Sequence, residues 1–261
     1  MTPMTAFPVS CKRGVEFLLR NAAVAGLCRW GMPIATSFAA IILAITAPRA
    51  IATAGDAYVY RVVNAYNNET VGHVRQELTP ATTAQGQVMS ITVDNPALGL
   101  PRTEIHTADG QWLRRPLDNH GMAVEYEFGA ALPALQPPLT AGQSWSVRVN
   151  AKVPGEDKNR SVRIDGRVLG HERIRVPAGE FDTVKIRRAI YAGDAEYFRT
   201  ETHIVEVDWY APALGRNVRT ETRSTWRDTR SGCRWAAHCD YRGDWHILEL
   251  TEARGTALSI P

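Results

Sequence analysis

The feature that most constrains the fold is a strict alternation of apolar and charged residues. Val124, Tyr126 and Phe128 alternate with Glu125 and Glu127. A period of two is typical of a strand with one packed and one solvated face. The same pattern recurs at 145–153, 162–168, 205–209 and 218–226. It predicts an antiparallel sheet, because parallel strands are usually apolar on both faces.

The segments between these strands favour turns over helices. Residues 130–142 contain Pro133, Pro137 and Pro138, too many prolines for a helix. Asp109-Gly110 is typical of a hairpin turn. We therefore predict one all-β domain of about ten antiparallel strands, folded as a strongly curved sheet or a partly closed barrel. A sandwich is the alternative.

The first 54 residues differ from the rest of the chain. Basic residues precede an apolar run at 33–47, and Ala52-Thr53-Ala54 follows it. This order predicts a signal peptide over residues 1–54, cleaved after Ala54, and an all-β domain over 55–261. The alternative is an uncleaved signal anchor, although the run is shorter than the ~20 residues of a spanning helix. Both interpretations place the domain in the periplasm or outside the cell, with membrane contact only through an uncleaved leader.

The charge of the domain gives no indication of a nucleic-acid partner, and none is expected. The chain has 30 basic and 27 acidic residues, and residues 1–54 contain five and one of these. The domain therefore has 25 basic and 26 acidic residues, a net charge of −1. No basic surface for nucleic acid is expected from this balance.

Two cysteines, Cys233 and Cys239, lie in the domain. In an oxidising compartment they predict a local disulfide across the intervening loop. With His238 and His246 they would also offer four zinc ligands within fourteen residues, but the spacing matches no familiar zinc site. We predict the disulfide, no metal site and no cofactor.

Catalytic motifs are weak. There is no G-x-S-x-G sequence for a serine nucleophile. The carboxylate pairs Glu125 with Glu127 and Glu206 with Asp208 each share one face of a predicted strand. Glycosidases use two carboxylates across a cleft, but an outward, solvated face is the simpler interpretation. No catalytic residue is assigned.

Aromatic residues give the one indication of a binding site. They fall on the apolar faces of the predicted strands, which would line a cavity in a curved sheet or fill its core. The candidate ligand-binding residues are Tyr58, Tyr60, Tyr126, Phe128, Trp145, Trp209 and Trp226.

Three stretches resemble a family of exported bacterial β-proteins. They are 176–183 (VPAGEFDT), 209–218 (WYAPALGRNV) and 138–145 (PLTAGQSW). In these motifs the chain is similar to TapB-type proteins, a group known mainly as domains of unknown function. The resemblance spans about 135–223 and implies a curved antiparallel sheet related to periplasmic half-barrels that carry lipoproteins or lipids. It implies no catalytic residue.

The leader, the alternation and the aromatic faces lead to one functional hypothesis. The chain is expected to be an exported, non-enzymatic β-protein that binds an apolar ligand or a cell-envelope partner, such as a lipid or an envelope protein. The alternative hypothesis is a secreted hydrolase acting on envelope polymers, which would require a histidine or two carboxylates to converge in a cleft.

Overall fold

Twelve antiparallel strands form a closed barrel in the computed structural model of the protein. The structure describes residues 55–80, 86–99, 101–107, 109–119, 122–157, 159–193, 199–230 and 239–254. The strands are β1 (Ala57–Asn64), β2 (Glu69–Pro80), β3 (Gln87–Val93), β4 (Arg102–His106), β5 (Trp112–Asn119), β6 (Met122–Leu132), β7 (Ser144–Lys152), β8 (Arg160–Val176), β9 (Gly179–Tyr191), β10 (Arg199–Ala211), β11 (Arg216–Asp228) and β12 (Asp240–Arg254). The prediction of an all-β fold with a barrel-like sheet is confirmed, with twelve strands in place of about ten.

Each strand pairs with the next along the chain, and β12 closes the ring by pairing with β1. Tyr60 lies opposite Leu250, and Val62 opposite Leu248, in this closing pair. Closure satisfies the backbone groups that an open sheet would leave unpaired at its edges. The barrel is therefore a continuous wall around one interior.

The β8–β9 hairpin contains the first of the three motifs. Its turn is Pro177-Ala178, because Val176 pairs with Gly179. The Ala178 N–H donates to the Leu250 carbonyl oxygen at 2.9 Å, so the hairpin tip contacts β12.

Buried apolar side chains form three packed clusters. The first gathers around Tyr60, the second around Tyr126 and the third around Trp145. A short 3-10 turn at Pro96–Leu98 follows β3. Among the described residues no helix is long and apolar enough to cross a membrane.

Two of the sequence predictions fall outside the described residues. The leader, residues 1–54, is one of them, and Cys233 is the other. Cys239, the residue before β12, is fully buried. The signal peptide and the Cys233–Cys239 disulfide therefore stay predictions.

Gly166 provides the space for the Trp145 ring. The two residues face each other across the β7–β8 pair. A Cβ atom at Gly166 would lie 2.1 Å from the indole ring. The Trp145 Nε1–H donates to the Pro133 carbonyl oxygen at 3.3 Å, which fixes the ring over this strand.

Gly166→Ala is expected to destabilise the barrel by about 1–3 kcal/mol, because the ring and strand must move apart to admit the methyl group. Urea unfolding measures this change. Arg167→Ala is the matched control on the exposed face of the same strand, and its expected effect is within about 0.5 kcal/mol. Equal stability of Gly166→Ala and wild type would show that the ring does not depend on this gap.

Candidate functional site

A buried arginine, Arg188 on β9, binds two carboxylates of the neighbouring strand β10. Arg188 lies directly opposite Glu206 in the β9–β10 register. Its Nη2 donates to Glu206 Oε2 at 3.1 Å and to the carboxylate of Asp208. Its Nη1 donates to the Ala134 carbonyl oxygen at 2.9 Å. All three charged side chains are at most 4% exposed, so these contacts replace water.

A second arginine reaches the same carboxylate from across the barrel. Arg115 on β5 donates to Glu206 through Nη2 at 2.6 Å and Nη1 at 3.2 Å. Its Nε lies 3.5 Å from Glu104 Oε1 on β4. The Trp112 ring lies beneath both guanidiniums, 4.1 Å from that of Arg115 and 5.0 Å from that of Arg188. We call Glu104, Arg115, Arg188, Glu206 and Asp208 the charged layer.

The charged layer is extended at both ends by polar contacts. His106 Nε2 lies 3.0 Å from Glu104 Oε2, and both residues are buried. Thr220 Oγ1 donates to Asp208 Oδ1 at 2.8 Å. Each carboxylate therefore has at least two polar partners, as buried charges require.

The arginines keep two carboxylates of the layer, Glu206 and Glu104, ionised. Burial raises the pKa of Glu206, but the Arg115 and Arg188 guanidiniums outweigh that effect and lower it well below its usual range. For Glu104, burial again raises the pKa, and Arg115 and the His106 hydrogen bond more than offset it. Neither group can supply a proton near neutral pH, as a general acid must.

A cavity of about 220 Å³ lies beside the charged layer inside the barrel. Its opposite wall is mostly apolar and comes from the contiguous strands β12, β1, β2 and β3 together with the 3-10 turn. The apolar residues of this wall are Val62, Val74, Met89, Ile91, Leu98 and Leu248, and Gln76 and His246 are its polar residues. The interior is therefore two-sided, with the charged residues on β4, β5 and β9–β11 and a mostly apolar surface on the other strands.

Two further arginines, Arg102 and Arg216, line the cavity outside the charged layer. Arg216 Nη1 lies 3.5 Å from Met89 Sδ, and its guanidinium lies 5.2 Å from the centre of the Tyr58 ring. Arg102 is the cross-strand neighbour of Ile91. Within the described part of the chain, neither arginine forms an ion pair with a carboxylate.

The structure does not bring the seven predicted aromatic residues together. Tyr60 alone of the seven lines the cavity, and its hydroxyl donates to the Asn217 carbonyl oxygen at 2.9 Å. Tyr58 and Trp209 pack in the same apolar cluster as Tyr60. Tyr126 and Phe128 belong to the second cluster and Trp145 to the third. Trp226 stacks on Tyr241 with ring centres 4.6 Å apart.

The orientation predicted for β10 is wrong. Glu206 and Asp208 were expected on the solvated face, yet they are 3% and 0% exposed and line the cavity. Trp209 lies on the opposite face, where its Nε1–H donates to Glu172 and Lys185 Nζ lies 4.6 Å from its ring. The inversion follows from the arginines of β5 and β9, which compensate the buried charges.

Sequence reasoning missed the arginines of the site. Arg188 did carry a signal, because it falls in phase with the buried residues Val184, Ile186 and Ile190 of β9. A charge at an apolar position of a strand indicates an interior partner. Arg115, Glu104 and Arg216 carry no comparable signal, since their neighbours do not alternate cleanly.

The described residues contain no cluster of three or more metal-ligating side chains, but they include only two of the four ligands of the zinc alternative, which therefore stays untested. His246 lines the cavity, and Cys239 is buried. The remaining proposed ligands, Cys233 and His238, lie outside the described residues.

Comparisons with known proteins give only distant likenesses. No family model and no curated protein matches the chain. It is similar to a crystal structure of a protein assigned as a lipoprotein, from Parabacteroides distasonis, with 15% identity, a TM-score of 0.44, and coverage of 77% of this chain and 96% of that one. It is also similar to an assigned exported protein with a YmcC-like fold, from Bacteroides fragilis, with 14% identity, a TM-score of 0.40, and coverage of 78% and 97%. Neither likeness carries an argument about function, and the resemblance to TapB-type proteins stays a prediction.

Arg188→Met is expected to destabilise the protein by about 3–5 kcal/mol, because Glu206 and Asp208 would lose their shared buried partner. Urea unfolding followed by tryptophan fluorescence measures the change. The control is Arg187→Met, whose side chain lies on the exposed face of the same strand. A loss below about 1 kcal/mol at Arg188 would contradict the structural role of the layer.

Stability is expected to fall in acid because the pKa values of Glu206 and Glu104 are lowered in the fold. A carboxyl group whose pKa is lowered in the fold stabilises the protein fully at pH values above its pKa in the unfolded chain, which is about 4.3 for glutamate. This stabilisation is lost as the pH falls through the pKa of the folded state. Each carboxyl contributes a slope of up to about 1.36 kcal/mol per pH unit. Urea unfolding between pH 7 and pH 2 tests this, and Glu206→Gln should flatten the slope. An unchanged slope in that variant would contradict the assignment.

Proposed function

We propose that the chain is an exported, non-enzymatic protein that binds a small ligand inside its barrel. The observation that carries this proposal is the cavity of about 220 Å³ between the charged layer and the apolar wall. Binding sites combine a mostly apolar surface with a few placed polar groups, and this cavity has both. Export rests on the leader-like sequence of residues 1–54.

The cavity volume favours a small ligand. An engineered apolar cavity of about 150 Å³ is large enough for benzene. A ligand with a six-carbon body and one polar group fits this range, whereas a membrane lipid with two long chains does not. Among the expected partners, the cavity therefore supports a small amphipathic molecule over a whole lipid.

The hydrolase alternative has weaker support. The cavity does bring two histidines and three carboxylates together, as that hypothesis requires. However, Arg115 and Arg188 bind Glu206, and Arg115 also contacts Glu104. The pKa values of both glutamates are lowered, which opposes the role of general acid. Glutamates that are ionised and already hydrogen-bonded form a fixed charged surface and do not act as proton donors.

Thr222→Phe is expected to fill the cavity and prevent binding without unfolding the barrel. Thr222 lines the cavity on β11, and the larger side chain would occupy existing space. The full chain is purified from its own host, and native mass spectrometry records the bound mass before and after mild activation. The wild-type protein is expected to carry a small bound molecule that Thr222→Phe lacks.

The adjacent residue provides the control, since Arg223 lies on the exposed face of the same strand. Arg223→Phe is expected to retain the bound mass, and thermal unfolding verifies that both variants fold. An interior site would be contradicted if the wild-type protein carried no bound molecule. It would also be contradicted if Thr222→Phe carried the same bound molecule as the wild type.

A further inference from the structure

We infer that the ligand is a small monoanion with an apolar body, and that Arg216 binds its acidic group. This inference rests on the proposed function and adds the chemical class of the ligand. It assigns to Arg216 a binding role that the sequence did not indicate.

The charge balance of the cavity supports a single negative charge. Four arginines and three carboxylates line it, a net charge of +1 with neutral histidines. Arg115 and Arg188 are engaged with Glu104, Glu206 and Asp208. Arg102 and Arg216 are the two cations of the lining that are not in these ion pairs. One bound anion would make the net charge of the lining zero. A cation inside a barrel is costly without such compensation.

The position of the two cations supports an amphipathic molecule. Arg216 contacts Met89, and Arg102 neighbours Ile91 across the β3–β4 pair. Met89 and Ile91 are two residues apart on one strand, so their side chains share the inner face. The two arginines therefore flank a single apolar stretch of β3. An acidic group near Arg216 would place the attached hydrocarbon against this stretch and against Val74.

The guanidinium of Arg216 has donors available for a carboxylate. Its Nε is buried and has no hydrogen-bond partner among the residues that the structure describes. Its Nη1 contacts the weak thioether acceptor of Met89, and the guanidinium also interacts with the Tyr58 hydroxyl. A guanidinium binds a carboxylate through two parallel N–H donors, which a hydroxyl group cannot match. Arg216 should therefore distinguish an acid from an alcohol of the same size.

The test is calorimetric titration of the full-length protein, freed of bound molecules, with hexanoate, hexan-1-ol and hexylamine at pH 7. These probes share a six-carbon body and differ in charge. Hexanoate is expected to bind at least about tenfold more tightly than hexan-1-ol, the ratio that one charge-assisted hydrogen bond supplies. Hexylamine is expected not to bind, because it would add a second positive charge.

Variants assign the preference to one side chain. Arg216→Gln should reduce hexanoate affinity about tenfold to a hundredfold and leave hexan-1-ol unchanged. Arg216→Lys should restore part of the preference, and Arg223→Gln on the exposed face of the same strand should have no effect. Circular dichroism verifies that each variant is folded.

The outcomes separate this inference from the proposed function. Equal binding of hexanoate and hexan-1-ol, or an unchanged preference in Arg216→Gln, would overturn the monoanion and leave the interior binding site standing. Tighter binding of hexylamine would overturn the charge assignment in the same way. If none of the three probes binds, the assignment of a monoanionic ligand is wrong. If, in addition, the mass-spectrometry experiment finds no molecule bound to the wild-type protein, the proposed function is wrong too.

Discussion

The structure depends on the binding of Glu206 by two arginines from distant parts of the barrel. Arg188 is its direct neighbour on β9, and Arg115 reaches it from β5, which lies five strands away around the ring. Replacing a buried ion pair by apolar side chains is often neutral, but removing one partner is costly. The main role of such buried ion pairs is therefore to position the residues around them, and their net contribution to stability is smaller. Here they fix one side of the interior as a charged surface facing a hydrocarbon wall.

That two-sided interior explains why a cavity lies where it does. Apolar side chains pack against one another in the three clusters, whereas charged side chains must meet specific partners. The carboxylate partners of Arg115 and Arg188 lie within the layer, so the layer does not close onto Val62 and Val74 opposite. The space between them has hydrocarbon on one side and charge on the other. An amphipathic molecule is complementary to both sides, which links the barrel architecture to the proposed function.

The strand pattern could be predicted from sequence because alternation reports the two faces of each strand locally. Tyr126 and Phe128 are buried as expected, and Thr220 and Thr222 face inward. The alternation does not predict which face of a strand points into a closed barrel when one face is charged and the other is aromatic or aliphatic. On β10 the charged face is interior because Arg115, 91 residues away in sequence, compensates Glu206. Such long-range pairing leaves no local trace at Arg115, and the one local signal, the position of Arg188 among the buried residues of β9, does not name its partner. The sequence therefore favours the aromatic residues as the site.

The most direct measurement is a crystal structure of the protein grown with hexanoate. We expect a carboxylate bound to Arg216 inside the barrel, with its hydrocarbon chain against Met89, Ile91 and Val74, and with Glu206 still bound to Arg115 and Arg188. An interior filled by the protein's own side chains, or hexanoate found only on the outer surface, would contradict it.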